Sequence, residues 1–572
     1  MQIKESPKQY DVCIIGSGAG GGMAAHELTK AGADVVMLEA GEWFDSQDFS
    51  MFTWPYESPR RGASTQLQPF GEFDACFGGW DIDGEPYTTT DDTEFDWFRG
   101  RMLGGRTNHW GRISLRFGPD DFRVRSIDGM GDDWPISYEE IEPYYDRIDR
   151  LIGVFGTNEG IYNEPGGIFL PPPEPRCYEL LIKQACDNMG IPCVPSHLSI
   201  LTEPHNGRAA CHYCGQCNRS CSTHSNFSSP SVLLPPALET GNLEIITGAM
   251  AREITHKDGK ATGVSYVNKK DRREYKVRAR IVVLAASACE SARLLLNSKS
   301  SEFPDGLANS SGMVGKYLMD TTGTSVAGVI PDLMDMPPHN EDGTGGMHLY
   351  IPWWQQQDNS NLDFARGYHV ELWGGRGMPS YGFMSGIQNY SDLYQDRPKG
   401  GGGYGKQLKE DYRRYYGSIV GLSGRGESIA YEDNYCEIDP DVVDEWGIPA
   451  LRFNYTWSDQ EYNQVRHMQQ TFRRIIDEMG GQPLWDMPGR EEGYGISTPG
   501  EIIHEVGTTR MGNDPDTSVL NKHCQAHDVD NLFVADGGPF VSQPHKNTTW
   551  TLLALSMRTS EYIADQMNKG NL

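Results

Sequence analysis

The sequence has no unbroken run of about 18 apolar residues, so nothing in it reads as a membrane-spanning helix. Nor does its opening read as a secretory leader. The opening MQIKESPKQYDVCIIGSG has no basic region, apolar core and small-residue cleavage site. If the chain leaves the cytoplasm, something else is expected to carry it. Positive charge is scarce: 50 Lys and Arg stand against 79 Asp and Glu, a net −29. That balance repels phosphate backbones and anionic lipid, which makes nucleic-acid binding a poor starting point and leaves no nucleic-acid partner expected. No repeat of fixed period is present. The 12 cysteines are too dispersed over 572 residues for a disulfide framework, except for four between positions 211 and 221.

What is present is ample apolar material, 38% hydrophobic and 10% aromatic, which excludes global disorder. The length calls for at least two packed units. Glycine is abundant, 66 of 572, above the usual share of roughly 7%.

Residues 10–15 are a β-branched apolar run ending in glycines, 20–31 a small-residue helical pattern, and 34–38 a second buried strand. Together they predict a β-α-β unit. Residues 243–284 alternate apolar and polar, and Asp258-Gly259 predicts a hairpin. Ile281–Ala285 then leads into a helix carrying Ala292, Leu295 and Leu296. Leu532–Ala535 predicts a further strand, and an apolar helix begins near Thr549. Residues 50–100 and 155–235 read as loop-rich, 325–460 as strands, and Gly400–Gly403 as a loop tip. The fold class is α/β. A nucleotide-binding domain is assembled from 1–49, 100–150, 236–325 and 500–572. An inserted α+β substrate domain with an antiparallel sheet takes 50–99, 151–235 and 326–499.

Gly16, Gly18 and Gly21 form G-x-G-x-x-G between the first strand and its helix. The first permits the tight turn and the second lets backbone approach a pyrophosphate. The third lets helix and strand pack closely, with the helix N-terminus aimed at the anion. Glu39 follows Gly21 by 18 positions, at the end of the second strand, where a carboxylate binds ribose hydroxyls. The acid favours NAD or FAD over NADP.

Five ordered segments then carry a resemblance. GSGAGGG with Glu39, RMLGGRTNHWGR at 101–112, HEVGTTRMG at 504–512, FVADGGPF at 533–540 and KNTTWTLLAL at 546–555 are similar to the motifs of the glucose–methanol–choline (GMC) oxidoreductases, a flavoprotein family. The resemblance implies FAD in a Rossmann-like domain of GMC type built from discontinuous segments. It adds Gly104, Gly105, Asn108, His109, Asp536, Gly537 and Thr548 to the flavin contacts. Alcohol oxidation by flavin needs a group that takes the hydroxyl proton, and imidazole suits that role. The resemblance puts His504 at the catalytic histidine and Asn547 at its partner. The family's usual Asn-Pro-Thr is Asn547-Thr548-Thr549 here. His545 is open between active-site rim and structural contact. His109 is read as a noncovalent flavin contact, with a covalent link as the alternative.

Cys211, Cys214, Cys217 and Cys221 give C-x2-C-x2-C-x3-C, a spacing that wraps a loop around an iron–sulfur cluster. The alternatives are a zinc knot, which His212 or His224 could join, and structural thiols or disulfides. Bacterial sugar dehydrogenases of the resembled family carry a three-iron cluster in this region. Similarity to them favours 3Fe-4S over 4Fe-4S on Cys211, Cys217 and Cys221, with Cys214 spare or disulfide-bonded. Cys13, Cys289 and Cys524 are expected to be buried packing residues. The charges of 438–449 are expected to close a turn. Trp353-Trp354-Gln355-Gln356-Gln357 either stacks on a sugar or packs at the surface.

The expectation is therefore an FAD-dependent dehydrogenase oxidising a secondary hydroxyl of a sugar or glycoside, best at C3 of a glucoside. Electrons would leave through the cluster to an external acceptor. Gluconate-, glucose- or fructose-type dehydrogenases and an O2-using sugar oxidase are the near alternatives. A flavin–iron–sulfur electron-transfer reductase and a non-catalytic scaffold subunit are the distant ones. By resemblance the partners are a small helper subunit and a cytochrome c. Co-export with that helper would make the protein periplasmic, the alternative being cytoplasmic.

Overall fold

The computed structural model describes residues 4–45, 48, 53–54, 56–57, 63–66, 69, 75, 77–337, 343–357, 360–376 and 405–572. Gly400–Gly403 lies outside them. In chain order the strands used below are β1 (Lys4–Ile15), β2 (Val35–Leu38), β3 (Leu243–Ile246), β4 (Ala249–Lys257), β5 (Lys260–Asn268), β6 (Arg273–Leu284), β7 (Thr322–Val329), β8 (Leu349–Ile351), β9 (Tyr368–Gly374), β10 (Ile419–Gly426), β11 (Tyr435–Val443), β12 (Pro449–Asn454) and β13 (Leu532–Val534). The helices are α1 (Ala19–Lys30), α2 (Ala288–Asn297), α3 (Asp459–Glu478) and α4 (Thr549–Asn568).

The first sheet runs β3-β2-β1-β6-β5-β4, with β13 pairing the end of β6. Its β3, β2, β1, β6 and β13 are parallel neighbours, whereas β4, β5 and the start of β6 form an antiparallel meander. Asp258 and Gly259 both have φ near +50 to +70° at the hairpin tip, the left-handed pair a two-residue turn requires. The parallel strands read as unbroken apolar runs because both faces are covered. Cys13 and Ile15 enter one core, while Val12 and Ile14 enter another on the opposite face. Val282 and Leu284 separate from Ile281 and Val283 in the same way.

The second sheet is antiparallel, its main order β7-β10-β9-β8. One face packs on α3, whose Val465, Met468, Phe472 and Ile476 share a core with Val370, Leu372, Val420 and Leu422. Helix α3 starts at a capping box: Ser458 Oγ accepts from Gln460 N, and Glu461 accepts from Ser458 N at 2.8 Å. The other face of this sheet is turned toward the site. In the β11–β12 hairpin, Asp444 Oδ1 accepts from Trp446 N and Ile448 N. That charge closes the turn, as expected of 438–449.

Candidate functional site

Strands β1, β2, β6 and β13 end side by side: Ile15 pairs with Leu38 and Leu284, and Leu284 with Val534. Gly16, Glu39, Ala285 and Asp536 therefore emerge at one carboxyl edge, the place where open parallel sheets bind nucleotides. A cavity of about 510 Å³ opens there, lined by Gly16, Gly18, Glu39, Gly105, His109, His504, Asp536, Gly537, Asn547 and Thr548 among others. Gly16 sits at φ +97°, and a Cβ on it would stand 2.3 Å from the Ala285 carbonyl. At Gly18 a Cβ would meet no protein atom within 4 Å and would fill the cradle at the start of α1. Glu39 accepts from Ser17 N, Ser17 Oγ and Gly41 N, and burial pushes its carboxyl upward. Asp536 accepts from Ser291 Oγ and Gly538 N, and burial raises it to about 6. A glycine cradle at a helix N-terminus with an acid at the second strand end fits a dinucleotide such as FAD.

Gly21, Gly104 and Asn108 stand outside the cavity lining and support it. A Cβ at Gly21 would fall 2.0 Å from Gly16 O. Gly104 N donates to Ser17 Oγ at 2.8 Å, and Asn108 Nδ2 donates to the Leu103 and Gly105 carbonyls. Ser17 joins the Glu39 strand to the 101–112 loop, a link that sequence reading missed because a serine between motif glycines carries no signal. His109 lies against Phe98. Burial, then Arg112 and Arg106, lower it to about 3.

His504 and Asn547 come together from positions 43 residues apart in the chain. His504 Nδ1 is 3.0 Å from Thr321 Oγ1, and its Nε2 is 3.4 Å from Asn547 Nδ2. Gln543 Nε2 donates to the same Thr321 oxygen. Asp320, fully buried, accepts from Gly500 N and His504 N and fixes the backbone. Burial and the Glu505 charge lift Asp320 to about 7. Burial and Arg425 lower His504 to about 3, against the pull of Glu371, so the imidazole is neutral at ordinary pH. Asn547 Oδ1 is buried with no protein partner, an acceptor left for a ligand.

The second sheet adds residues that sequence reading missed. His369 and Glu371 on β9 and Arg425 on β10 share one face, His369 pairing across from Arg425. Glu371 Oε2 is 2.9 Å from Arg425 Nη2, and its Oε1 accepts from Asn547 Nδ2 at 3.4 Å. The available signal was alternation in YHVEL, which turns two polar residues to the face opposite the core.

Other expectations need correction. Among the described residues no three His, Cys, Asp or Glu side chains are gathered so as to hold a metal ion. Cys211, Cys214, Cys217 and Cys221 share a loop but do not converge, and all four are free thiols. Cys221 Sγ instead meets Thr223 Oγ1 and Ser225 Oγ, and Cys211 Sγ accepts from Tyr213 N. As folded, the quartet does not fit an iron–sulfur cluster or a zinc knot with His212 or His224. The loop does adjoin the cavity: Asn218 lines it, and Arg112 donates to both the Cys217 and Asn108 carbonyls. Trp353 is buried in the core of the second sheet with Trp354 against it, which rules out sugar stacking for that side chain. His545 is a structural contact, 3.6 Å from Glu164 and 3.4 Å from Lys546. Lys546 is itself buried on Asp121. Cys13, Cys289 and Cys524 are buried as expected.

Comparison with known proteins agrees with this geometry. The GMC oxidoreductase family matches residues 81–321 and 430–556, and an FAD binding domain matches 9–47. The chain is 31% identical to 2-methyl-1,2-propanediol dehydrogenase of Mycolicibacterium austroafricanum over 98% of this chain and 96% of that one. It is 26% identical to the fructose dehydrogenase large subunit of Gluconobacter japonicus, covering 98% of each. In fold it is similar to pyridoxine 4-oxidase from Mesorbium loti, with TM-score 0.61, 19% identity and coverage of 98% and 99%. The chain belongs to the GMC oxidoreductase family, as an FAD-dependent enzyme acting on the CH–OH groups of alcohols and sugars.

Proposed function

We propose that this enzyme is a dehydrogenase for a secondary hydroxyl of a sugar or glycoside, with His504 as the base and Asn547 orienting the reacting oxygen. The observation that carries the reading is the placement of His504 Nε2 and Asn547 Nδ2 3.4 Å apart on the wall of the dinucleotide cavity. FAD held there would supply the hydride acceptor for the carbinol carbon. The chain supplies the rest. Neutral His504 takes the hydroxyl proton at Nε2, while Nδ1 stays bonded to Thr321. The Asn547 amide donates to the substrate oxygen without competing for its proton. Gly16, Gly18, Gly105 and Thr548 would hold the cofactor through backbone, Glu39 would bind its ribose, and His109 would contact it noncovalently.

Relatives named for fructose, gluconate and 2-methyl-1,2-propanediol support a polyhydroxylated substrate. Glucosides oxidised at C3 are the first candidates, and an oxidase using O2 is the second reading, favoured by the relative named paromamine 6′-oxidase of Streptomyces fradiae. No electron step is routed through the cysteine loop, whose thiols do not meet. One relative is named a large subunit, which supports a helper subunit here; a cytochrome c acceptor and a periplasmic location by co-export belong to the same proposal. The test is anaerobic flavin bleaching by a panel of glycosides, polyols and simple alcohols, with the oxidised carbon assigned by NMR. Bleaching by glucosides with a 3-keto product is expected, and bleaching by monohydric alcohols alone would refute the sugar reading. Gly18→Val should yield folded protein without flavin, because the valine side chain fills the cradle. Full flavin loading of that variant would displace the cofactor from this edge.

A further inference from the structure

We infer that Glu371 is a positioning residue for the reaction: its carboxylate fixes which way the Asn547 amide faces, and thereby which nitrogen of His504 is free to take the proton. The inference rests on the reading of His504 as base and extends it to a residue on the second sheet.

An asparagine amide can be turned either way, so something must decide whether Nδ2 or Oδ1 faces the imidazole. An ionised carboxylate only accepts hydrogen bonds. Glu371 Oε1, 3.4 Å from Asn547 Nδ2, therefore selects the orientation with the NH2 group toward itself. The second N–H of the same group points to His504 Nε2, also at 3.4 Å. A nitrogen that receives an N–H holds its lone pair, so Nε2 is unprotonated and the ring proton sits on Nδ1, donated to Thr321 Oγ1 at 3.0 Å. When a substrate hydroxyl enters, the N–H turns from Nε2 to the substrate oxygen and Nε2 accepts the hydroxyl proton. The bond between the other N–H and Glu371 persists throughout. If the amide were reversed, Oδ1 would face Nε2 and favour the tautomer protonated there, which cannot act as the base.

The carboxylate is held for this task by its own sheet. Burial works against the charge of Glu371, but Arg425 at 2.9 Å holds its pKa down at about 2, with His369 3.5 Å away. Both lie on the same face, so strand register delivers all three groups together. His369 is itself fixed, its Nδ1 bonded to the His545 carbonyl at 2.6 Å. The charged and titratable groups around His504 are thus Glu371 and His369 from β9, Arg425 from β10, Arg106 from the 101–112 loop, and Asp320 behind the backbone.

The experiment is a double-mutant cycle on the FAD-loaded enzyme, read as the rate of anaerobic flavin reduction by the best glycoside or polyol. Glu371→Gln offers an amide that accepts or donates, so it no longer selects the orientation. The limiting rate should fall about ten- to hundredfold, the range expected for a misplaced catalytic group, with little change in substrate half-saturation. Glu371→Asp keeps the charge and should recover part of the loss. In an Asn547→Ala background, Glu371→Gln should cost nothing further, because the group it positions is gone. Wild-type rates in Glu371→Gln, or losses that simply multiply in the double variant, would overturn the inference. Should Glu371→Gln fail to fold, the same cycle run with Glu371→Asp decides the matter by the same criterion. His504→Gln separates the two levels. Its full activity defeats the base assignment itself, whereas its loss beside a normal Glu371→Gln defeats only the role of Glu371.

Discussion

Two loops carry the strongest chemical signals in the sequence, and the fold treats them differently. The stretches 505–511 and 531–548 are buried, and the polar groups beside them meet groups from other elements: His504 meets Thr321 and Asp320 before β7, Asn547 meets Glu371 on β9, and Lys546 meets Asp121 far away in sequence. The loop 211–221 has three half-buried thiols, and the sulfur bonds of Cys211 and Cys221 go to near neighbours in the chain, Tyr213, Thr223 and Ser225. A reactive constellation is thus made by partners that arrive from elsewhere. Close spacing along the chain does not by itself bring side chains to a point.

The sharpest way to break this contrast is at His504. His504→Gln removes the proton acceptor while its hydrogen-bonding shape persists, and flavin reduction should slow by about 10²-fold or more. FAD content should be unchanged, since the cradle at Gly16 and Gly18 is untouched. A rate near wild type would place the base elsewhere.

A smaller effect should follow loss of an anchor. Asp320→Asn retains one acceptor for two backbone donors, Gly500 N and His504 N. The loosened backbone should cost about tenfold in limiting rate. An unaltered rate would mean that the segment holds its shape without this carboxylate.

The pH profile separates anchor from base. Burial and Arg425 depress His504 from 6.5 to about 3, so the base form persists as pH falls and protonation removes it only near the lower value. Flavin reduction should therefore show no imidazole limb near 6.5. Asp320, raised to about 7, loses its charge as pH drops through neutrality and then accepts less well from the two N–H groups. Any limb near 7 should vanish in Asp320→Asn. Persistence of that limb in Asp320→Asn and its loss in His504→Gln would assign it to the imidazole.

The smallest effect is expected at the other loop. Cys217→Ser should change flavin reduction and dye-linked turnover by less than about twofold, as for a thiol outside any reacting group. Stoichiometric iron in the purified enzyme, lost in this variant together with cytochrome reduction, would restore the cluster reading and erase the contrast between the loops.

The sequence alone determined the dinucleotide edge, because its requirements are local: a tight turn at Gly16, close approach at Gly18, and an acid one strand later at Glu39. Apolar runs buried on both faces likewise announced the parallel strands, and Asp258-Gly259 its own hairpin. His504 and Asn547 were legible through motif order, though nothing in their neighbourhoods showed that they face each other. Only the tertiary structure decided which way the Asn547 amide turns. The carboxylate that sets it is 176 residues away, on a strand whose alternation says which face Glu371 takes but not what lies across from it. The same limit explains the cysteines. Their spacing describes a loop that is able to wrap a metal, whereas the surroundings of the Cys211 and Cys221 sulfurs are the backbone donor and hydroxyls that the fold places beside them.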